Sequence, residues 1–224
     1  MIRGIIFDFD GLIIDTEWSV YQSWLEIFES FKAELPLDQW TSIIGTSEHE
    51  HFDPFDILEH QVGHPLDRQN LRQKRRSREM ELVFVQPILP GVEETLRDAK
   101  QYNLKLGIAS SSDRNWVTGH LARLGLSEYF DAIHTSDDVE RTKPEPALYL
   151  LALQSLGLSP MEAIVLEDSP NGVSAAKDAG IFTVAVPNPL TARLNLDRAD
   201  LVLGSLAECS LVDLIQAAEK ARKG

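Results

Sequence analysis

Five short apolar runs along the chain predict buried β-strands, at residues 4–9, 104–110, 163–168, 182–186 and 199–204. From about residue 91 onward these runs alternate with helical patterns of apolar and polar positions. Such alternation favours an α/β fold with a parallel, doubly wound sheet. The helix boundaries are marked as well: Ser169 followed by Pro170 predicts a helix start, and Gly180 predicts the end of the same helix.

Residues 16–85 interrupt this alternation with helical patterns alone. The segment "WSVYQSWLEIFESF" carries Trp18, Tyr21, Trp24 and Phe28 at intervals of three to four residues, which predicts the buried face of one helix. The charged segment "LDRQNLRQKRRSREMELVF" predicts another helix. We therefore expect a helical cap domain at 16–85, inserted after the first strand of a core formed by residues 1–15 and 86–224.

The composition of this 224-residue chain limits the kinds of partner and the cellular compartment that we expect. Its formal net charge of −14 argues against nucleic acid or an anionic membrane surface as a partner. The single cysteine, Cys209, cannot form an internal disulfide, which fits a reducing compartment. No apolar run approaches the roughly 20 residues of a membrane-spanning helix. We expect a cytoplasmic, monomeric protein that acts on a small molecule.

Polar residues follow three of the predicted strands at the point where each strand ends. The first strand ends at Asp8 and Asp10, the second at Ser110, and the third at Glu167 and Asp168. Ligands of open α/β sheets bind beyond the carboxyl ends of the strands, so we expect these side chains to converge in one crevice.

Four carboxylates in one crevice require a positive charge nearby. Two like charges about 4 Å apart repel by roughly 4 kcal/mol at an effective dielectric of about 20. The oxygen ligands of Asp8, Asp10, Glu167 and Asp168 suit Mg²⁺. Lys143, in "RTKPEP", supplies a second positive charge. Together the two cations would attract a phosphate group into an otherwise acidic protein.

These motifs, taken in order, resemble those of the haloacid dehalogenase-like hydrolase superfamily. The resemblance rests on "DFDG" at 8–11, Ser110 after a strand, Lys143 before "PEP", and "EDSPNG" at 167–172. Within the superfamily the chain is similar to the branch of phosphatases and β-phosphoglucomutases. That branch implies a Rossmann-like, doubly wound parallel sheet core with an α-helical cap inserted after strand one.

The resemblance also implies a role for each motif residue. Asp8 would be the nucleophile that forms an aspartyl-phosphate, and Asp10 the general acid and base. Mg²⁺ would be held by the carboxylates of Asp8 and Asp168 and the backbone carbonyl of Asp10, with Glu167 behind them. The transferring phosphoryl group would be bound by Ser110, Ser111 and Lys143.

Two reactions remain open, with hydrolysis favoured. Dehalogenases of the superfamily lack the second aspartate, so Asp10 favours phosphoryl transfer. Mutases of the branch carry a histidine at the position of Val20 and an arginine at the position of Glu48, so both departures favour a phosphatase. The alternative is a sugar-phosphate mutase. Five cap residues are candidates for choosing the leaving group, by their motif positions: Trp18, Val20, Gly45, Thr46 and Ser47.

Other functional classes fit the chain less well. A signalling receiver is about half this length and has no helical insertion. A binding protein that had lost catalysis would lack Asp8 or Asp10, and both are present. The histidine pairs of the cap resemble zinc-ligand spacings, but we interpret them as exposed residues: His49 with His51, and His60 with His64. The basic run of Lys74, Arg75, Arg76 and Arg78 predicts a solvated helix face.

Overall fold

A parallel sheet of six strands forms the centre of the computed structural model, which describes residues 1–41 and 53–222. Its spatial order is β3-β2-β1-β4-β5-β6. The strands are β1 Gly4–Phe7, β2 Lys105–Ala109, β3 Ala132–His134, β4 Ala163–Glu167, β5 Phe182–Ala185 and β6 Leu201–Val202. Every neighbouring pair is parallel. The α/β fold predicted from the alternation of strands and helices is confirmed.

The strand β3 has no counterpart in the sequence prediction. It is three residues long, only partly buried, and lies at an edge of the sheet. A continuous apolar run is expected only where both faces of a parallel strand are buried, and the faces of β3 are only partly covered. The other edge strand, β6, is confined to Leu201–Val202 within the predicted run 199–204.

Helices cover both faces of the sheet. They are α5 Val92–Gln101, α6 Arg114–Leu124, α7 Ala147–Leu156, α8 Pro170–Asp178 and α9 Leu211–Ala221. Side chains alternate across the pleat of β1: Ile5 and Phe7 pack with α5, α6 and α9, whereas Ile6 packs with α7 and α8. Two apolar cores therefore sandwich the sheet, as in a doubly wound fold.

Among the described residues, four helices lie between β1 and α5, at α1 Thr16–Ser30, α2 Leu37–Thr41, α3 Pro54–Val62 and α4 Arg68–Phe84. The predicted apolar face of α1 is buried at Tyr21, Trp24 and Phe28, whereas Trp18 is exposed. Leu190, from the loop after β5, packs into the same apolar cluster. The division of the chain into two domains at the stated bounds stays a prediction. None of the helices in the described parts of the chain could cross a membrane.

The sheet register sets the position of the first motif. Phe7, the last residue of β1, pairs with Ile108 of β2 and Leu166 of β4. The backbone N–H of Asp8 donates to the carbonyl of Leu166 at 2.9 Å, so the chain continues between the ends of both neighbouring strands. The strand ends of β1, β2 and β4 therefore open onto one place.

Candidate active site

Three buried carboxylates meet at the carboxyl ends of β1 and β4. One oxygen from each of Asp8, Glu167 and Asp168 lies within 4.8 Å of the others. The side chains come together because β1 and β4 are adjacent parallel strands in register. Convergence of these three predicted site residues follows directly from the sheet topology.

Lys143 lies between two of these acids. Its Nζ is 2.5 Å from Oδ1 of Asp8 and 2.6 Å from Oε1 of Glu167, and the lysine is buried. Its ammonium group also lies 5.0 Å from the centre of the Tyr149 ring. The segment before α7 thus brings a positive charge to the acids, as expected from the sequence.

Glu167 accepts hydrogen bonds at both of its carboxylate oxygens. Oε1 accepts from Lys143 and, at 2.7 Å, from the hydroxyl of Tyr149. Oε2 accepts from the N–H of Asp168 at 2.9 Å, the N–H of Ser169 at 3.0 Å and the hydroxyl of Ser169 at 3.2 Å. With five donors already bound, Glu167 fixes its neighbours rather than presenting a vacant oxygen.

Two glycines leave room for the carboxylates. A Cβ at Gly172 would lie 1.6 Å from Oε1 of Glu167. Gly11 has a φ of +77°, and a Cβ there would lie 2.2 Å from Oδ2 of Asp168. Both glycines of the "DFDG" and "EDSPNG" motifs are therefore explained by close approach of an acid to the backbone.

Asp10 is held apart from these three acids by donors on and before α6. Oδ2 of Asp10 lies 2.6 Å from the hydroxyl of Ser112 and 3.4 Å from that of Ser110. Oδ1 accepts the indole N–H of Trp116 at 2.9 Å. Each oxygen of the carboxylate therefore has its own close donor, and the side chain is fixed in one orientation.

Burial changes the proton affinity of the acids. It raises the pKa of Asp8 to about 8, because the charges of Glu167 and Asp10 add to burial and the attraction of Lys143 is too weak to cancel them. The pKa of Asp168 is raised well above its usual range, first by burial and then by the charges of Glu167 and Asp8. Burial opposes the charged form of Lys143, but Asp8 and Glu167 outweigh it and raise its pKa. Lys143 does not compensate all the negative charge of these buried acids, so the site favours binding of an additional cation.

The donor set fits a hard divalent cation such as Mg²⁺. Hydrogen bonds to the described residues use Oδ1 of Asp8 and Oδ2 of Asp168, and the latter accepts from Nδ2 of Asn188 at 2.8 Å. Oδ2 of Asp8 and Oδ1 of Asp168 are then the oxygens available to a metal. Oxygen ligands with excess negative charge are the preferred environment of Mg²⁺.

Four side chains at the site were missed in the sequence. Asn188 follows β5, so the strand-end argument that found Asp8 could have found it. Ser112 directly follows Ser110 and Ser111 in the run "SSSD", and only those two serines were predicted to bind the phosphoryl group. Tyr149 and Trp116 lie within helices and carry no signal that distinguishes them from core aromatics.

A further acid, Glu17, lies half-buried at the start of α1. Burial, together with the charges of Asp10, Asp15 and Glu79, raises its pKa to about 7. The negative charge of Asp10 therefore affects a residue in the first turn of α1.

The remaining predicted residues are less closely connected to the acids. Ser111 is exposed. Trp18 is 42% exposed and its ring lies 5.6 Å from that of Tyr21, whereas Val20 packs against the cap cluster. The other candidates lie outside the described residues: Gly45, Thr46 and Ser47, together with Glu48, His49 and His51.

Two interpretations of the cap residues can be compared with the structure. His60 and His64 are exposed, and Gly63 ends α3 between them, as predicted. The solvated face predicted for the basic run is correct for Lys74 and Arg78. It is correct for Arg76 as well, which is exposed, and wrong for Arg75, which is half-buried. Both arginines bind the buried carboxylate of Glu79, at 2.6 Å for Arg75 and 2.5 Å for Arg76. A buried acid needs such partners, and a charge pattern alone does not reveal one.

Comparison with known proteins agrees with this geometry. The family model described as haloacid dehalogenase-like hydrolase matches residues 5–186. The chain is 48% identical over 215 residues to the Bacillus subtilis (strain 168) protein named "Putative phosphatase YhcW", covering 96% of this chain and 97% of the relative. It is 35% identical over 182 residues to the Thermotoga maritima phosphorylated carbohydrates phosphatase, covering 80% and 82%.

A solved structure gives the same result for the fold. The β-phosphoglucomutase of Clostridium difficile superposes with a TM-score of 0.77 and 27% identity over 100% of both chains. The phosphatases among the relatives, together with the family match, identify an enzyme of the phosphatase type. The chain belongs to the haloacid dehalogenase-like hydrolase family, in its branch of phosphatases and β-phosphoglucomutases.

Proposed function

We propose that this phosphatase hydrolyses a small organic phosphate monoester, such as a sugar or polyol phosphate, through a phosphorylated Asp8 and with the help of Mg²⁺. The observation that carries the proposal is the placement of Asp8. It is buried at a strand end against Lys143 and Asp168, while a second acid two residues later is held separately by Ser112 and Trp116. Phosphoryl transfer through an enzyme carboxylate needs these two acids in two different roles.

In the first step an oxygen of Asp8 attacks phosphorus, and the bond between phosphorus and the substrate oxygen breaks. Asp10, in its protonated form, gives its proton to that oxygen, which leaves as an alcohol. Lys143, Ser110 and Ser111 are proposed to bind the phosphoryl oxygens, where negative charge is spread in the transition state.

In the second step a water molecule attacks the phosphorus of phospho-Asp8. Asp10, now ionised, accepts the proton of this water, and the bond between Asp8 and phosphorus breaks to release inorganic phosphate. Asp8 and Asp10 are thereby returned to their starting states. Hydrolysis of phosphate monoesters is among the slowest uncatalysed reactions, which requires this concentration of charged groups.

The side chains of Asp8 and Asp168 and the backbone carbonyl of Asp10 would hold Mg²⁺, and Glu167 would act behind them by fixing Lys143 and the chain at Asp168. When bound, the ion supplies positive charge that keeps the carboxylates ionised and neutralises phosphoryl oxygens. The elevated pKa of Asp8, about 8, supports this requirement, because a protonated carboxyl group is a poor nucleophile.

The proposed substrate class rests on the relative that acts on phosphorylated carbohydrates. Trp18, Val20, Gly45, Thr46 and Ser47 are proposed to contact the leaving group. Of these, Trp18 offers an exposed ring at the first turn of α1. The single cysteine supports a reducing compartment, so the proposed location is the cytoplasm.

A sugar-phosphate mutase is the second candidate, because a β-phosphoglucomutase shares the fold over the full length of the chain. Val20 and Glu48 favour hydrolysis over this candidate. A mutase must bind a second phosphate in the cap, and an acid at residue 48 repels it.

The test is phosphate release from p-nitrophenyl phosphate and from a panel of sugar and polyol phosphates, with Mg²⁺ or with a chelator. We expect Mg²⁺-dependent release by the wild-type enzyme and none by Asp8→Asn, whereas Asp178→Asn, at an exposed ion pair with Arg198, should retain activity. Turnover by Asp8→Asn would exclude the covalent mechanism. Isomerisation of β-glucose 1-phosphate in the presence of a bisphosphate activator, at a rate higher than that of phosphate release, would instead establish the mutase.

A further inference from the structure

We propose that Trp116 is a positioning residue for Asp10, and that Arg76 of the cap helix α4 lies on the same indole ring, so that one side chain connects the cap to the acid. The inference rests on the proposed function, since it assigns Trp116 its effect through the role of Asp10 as general acid and base.

The hydrogen bond from Trp116 has a fixed polarity. An indole N–H can only donate, and it cannot lose its proton in the accessible pH range. It lies 2.9 Å from Oδ1 of Asp10, while the hydroxyl of Ser112 lies 2.6 Å from Oδ2. Removal of the indole donor leaves Oδ1 without this donor, so the carboxylate is held through Oδ2 by Ser112 and Ser110 and is free to turn.

The indole itself is held in place from within the core. The backbone N–H of Trp116 donates to Oδ1 of Asp113 at 2.8 Å, and Asp113 caps the start of α6. One turn later, the ring of buried His120 meets the indole edge to face at 4.5 Å. The ring of His120 in turn lies 6.3 Å from that of Phe9, the residue between the two catalytic aspartates. Trp116 is thus oriented before any substrate arrives.

The other contact of the indole comes from the cap. The guanidinium carbon of Arg76 lies 5.3 Å from the centre of the Trp116 ring, a distance at which a cation is attracted to an aromatic face. Arg76 is fixed by its ion pair with Glu79, which is buried and also bound by Arg75. Through this pair the position of α4 is transmitted to the ring that holds Asp10.

A second contact ties the same two helices together. Arg123 of α6 donates to the carbonyl of Val83 at 3.5 Å and to that of Gln86 at 3.3 Å, at the end of α4 and just beyond it. The side chain of Gln86 donates to the hydroxyl of Ser19 on α1 at 3.1 Å. Helix α6 therefore contacts α4 at two places, at Arg76 through Trp116 and at Val83 through Arg123, which makes it the element through which cap orientation reaches Asp10.

The experiment compares two substrates of the same shape, phenyl phosphate and p-nitrophenyl phosphate. Phenol has a pKa near 10, so its phosphate needs a proton from Asp10 as it leaves, whereas the nitrophenolate leaves as a weaker base. The value of kcat/KM reports the first phosphoryl transfer only, which excludes the hydrolysis of phospho-Asp8 from the comparison. The ratio of the two kcat/KM values then measures how well the acid is placed.

We expect Trp116→Phe to lower kcat/KM for phenyl phosphate about 10-fold more than for p-nitrophenyl phosphate. This is less than the roughly 10²- to 10⁴-fold that a general acid contributes, because Asp10 itself remains. Arg76→Met should change the ratio in the same direction by less. The matched control is Trp24→Phe, because Trp24 lies under Arg75 at the same 5.3 Å but within the cap cluster. It should leave the ratio at the wild-type value.

A double variant separates a positioning role from a purely structural one. If Trp116 acts through Asp10, then Trp116→Phe in the Asp10→Asn background should not change the ratio of the two kcat/KM values further. An unchanged ratio in Trp116→Phe, with a changed ratio in Asp10→Asn, overturns the inference and leaves the proposed function intact. Activity of Asp8→Asn removes the proposed function instead. If circular dichroism shows that Trp116→Phe does not fold, Trp116→Leu replaces it. An unchanged ratio of the two kcat/KM values in Arg76→Met rejects the connection between the cap and Asp10.

Discussion

Gly172 and Glu167 are so close that the carboxylate occupies the place of a side chain. A Cβ at residue 172 would lie 1.6 Å from Oε1 and 2.2 Å from Oε2 of Glu167. The first turn of α8 therefore serves as a wall for the acid that holds Lys143, and the glycine of "EDSPNG" is required by packing rather than by its backbone conformation.

Gly172→Ala should destabilise the enzyme by about 1–3 kcal/mol, because the added methyl group must displace a fully buried carboxylate. It should also lower turnover, since Glu167 orients Lys143. Urea unfolding and kcat measure the two effects. The matched control is Gly119→Ala, also within a helix, where nothing lies within 4 Å of the added Cβ. There alanine should be neutral or stabilising by up to about 1 kcal/mol. Equal behaviour of the two variants would contradict the packing argument.

Lys143→Met should cost about 3–5 kcal/mol in the free energy of unfolding, because it leaves the buried charge of Glu167 without its partner. Lys177 provides the comparison: its Nζ lies 2.6 Å from Asp200, the same distance as that between Lys143 and Glu167. The pair of Lys177 is about one quarter exposed, so Lys177→Met should cost no more than about 1 kcal/mol. Urea unfolding near neutral pH measures the loss of unfolding free energy in each of the two variants. A similar loss in both variants would mean that burial of the pair has no effect.

The sequence predicted the parts of this site that depend on strand ends. Asp8, Ser110, Glu167 and Asp168 each follow an apolar run, and parallel strands bring such residues to one edge. It did not predict Trp116, because a tryptophan in a helix has the same pattern whether it packs in the core or donates to an acid. The edge strand β3 was missed for a related reason: its three residues are only partly buried and form no apolar run.

Asn188→Ala should weaken the binding of Mg²⁺ about 10- to 100-fold, the usual effect of losing a partner that orients a metal ligand. Nδ2 of Asn188 donates to Asp168, while its Oδ1 accepts from the N–H groups of Leu190 and Thr191 at 2.9 and 3.0 Å. The asparagine thus fixes one oxygen of Asp168 and leaves the other for the cation.

The Mg²⁺ concentration for half-maximal activity measures this effect, and the Mg²⁺-induced rise in Tm provides a readout that is independent of turnover. Asn195→Ala is the control, because Oδ1 of the exposed Asn195 likewise accepts a backbone N–H, that of Asp197 at 2.8 Å. An unchanged Mg²⁺ requirement in Asn188→Ala would remove Asn188 from the metal site.

The metal-free enzyme should become less stable as the pH rises from about 5 to 8. Burial raises the pKa of Asp8 from its usual 3.8 to about 8, so in this window the folded state holds a proton that the unfolded state has lost. The free energy of unfolding then falls with pH, by up to about 1.4 kcal/mol per pH unit for one such group. Glu17, with a pKa raised to about 7, acts with the same sign.

Bound Mg²⁺ should remove this dependence, because a cation on the carboxylates replaces the proton and keeps Asp8 ionised in the folded state, as it is in the unfolded state. Urea unfolding at pH 5.5, 6.5 and 7.5, with a chelator or with Mg²⁺, tests both statements. We expect the gain from Mg²⁺ to increase with pH, and Asp8→Asn to reduce the slope in chelator because the neutral amide carries no proton to lose. Asp178→Asn, at an exposed site, should keep the wild-type slope. Parallel pH curves for Asp8→Asn and the wild-type enzyme would show that Asp8 is already ionised without the metal, and that Lys143 alone compensates its burial.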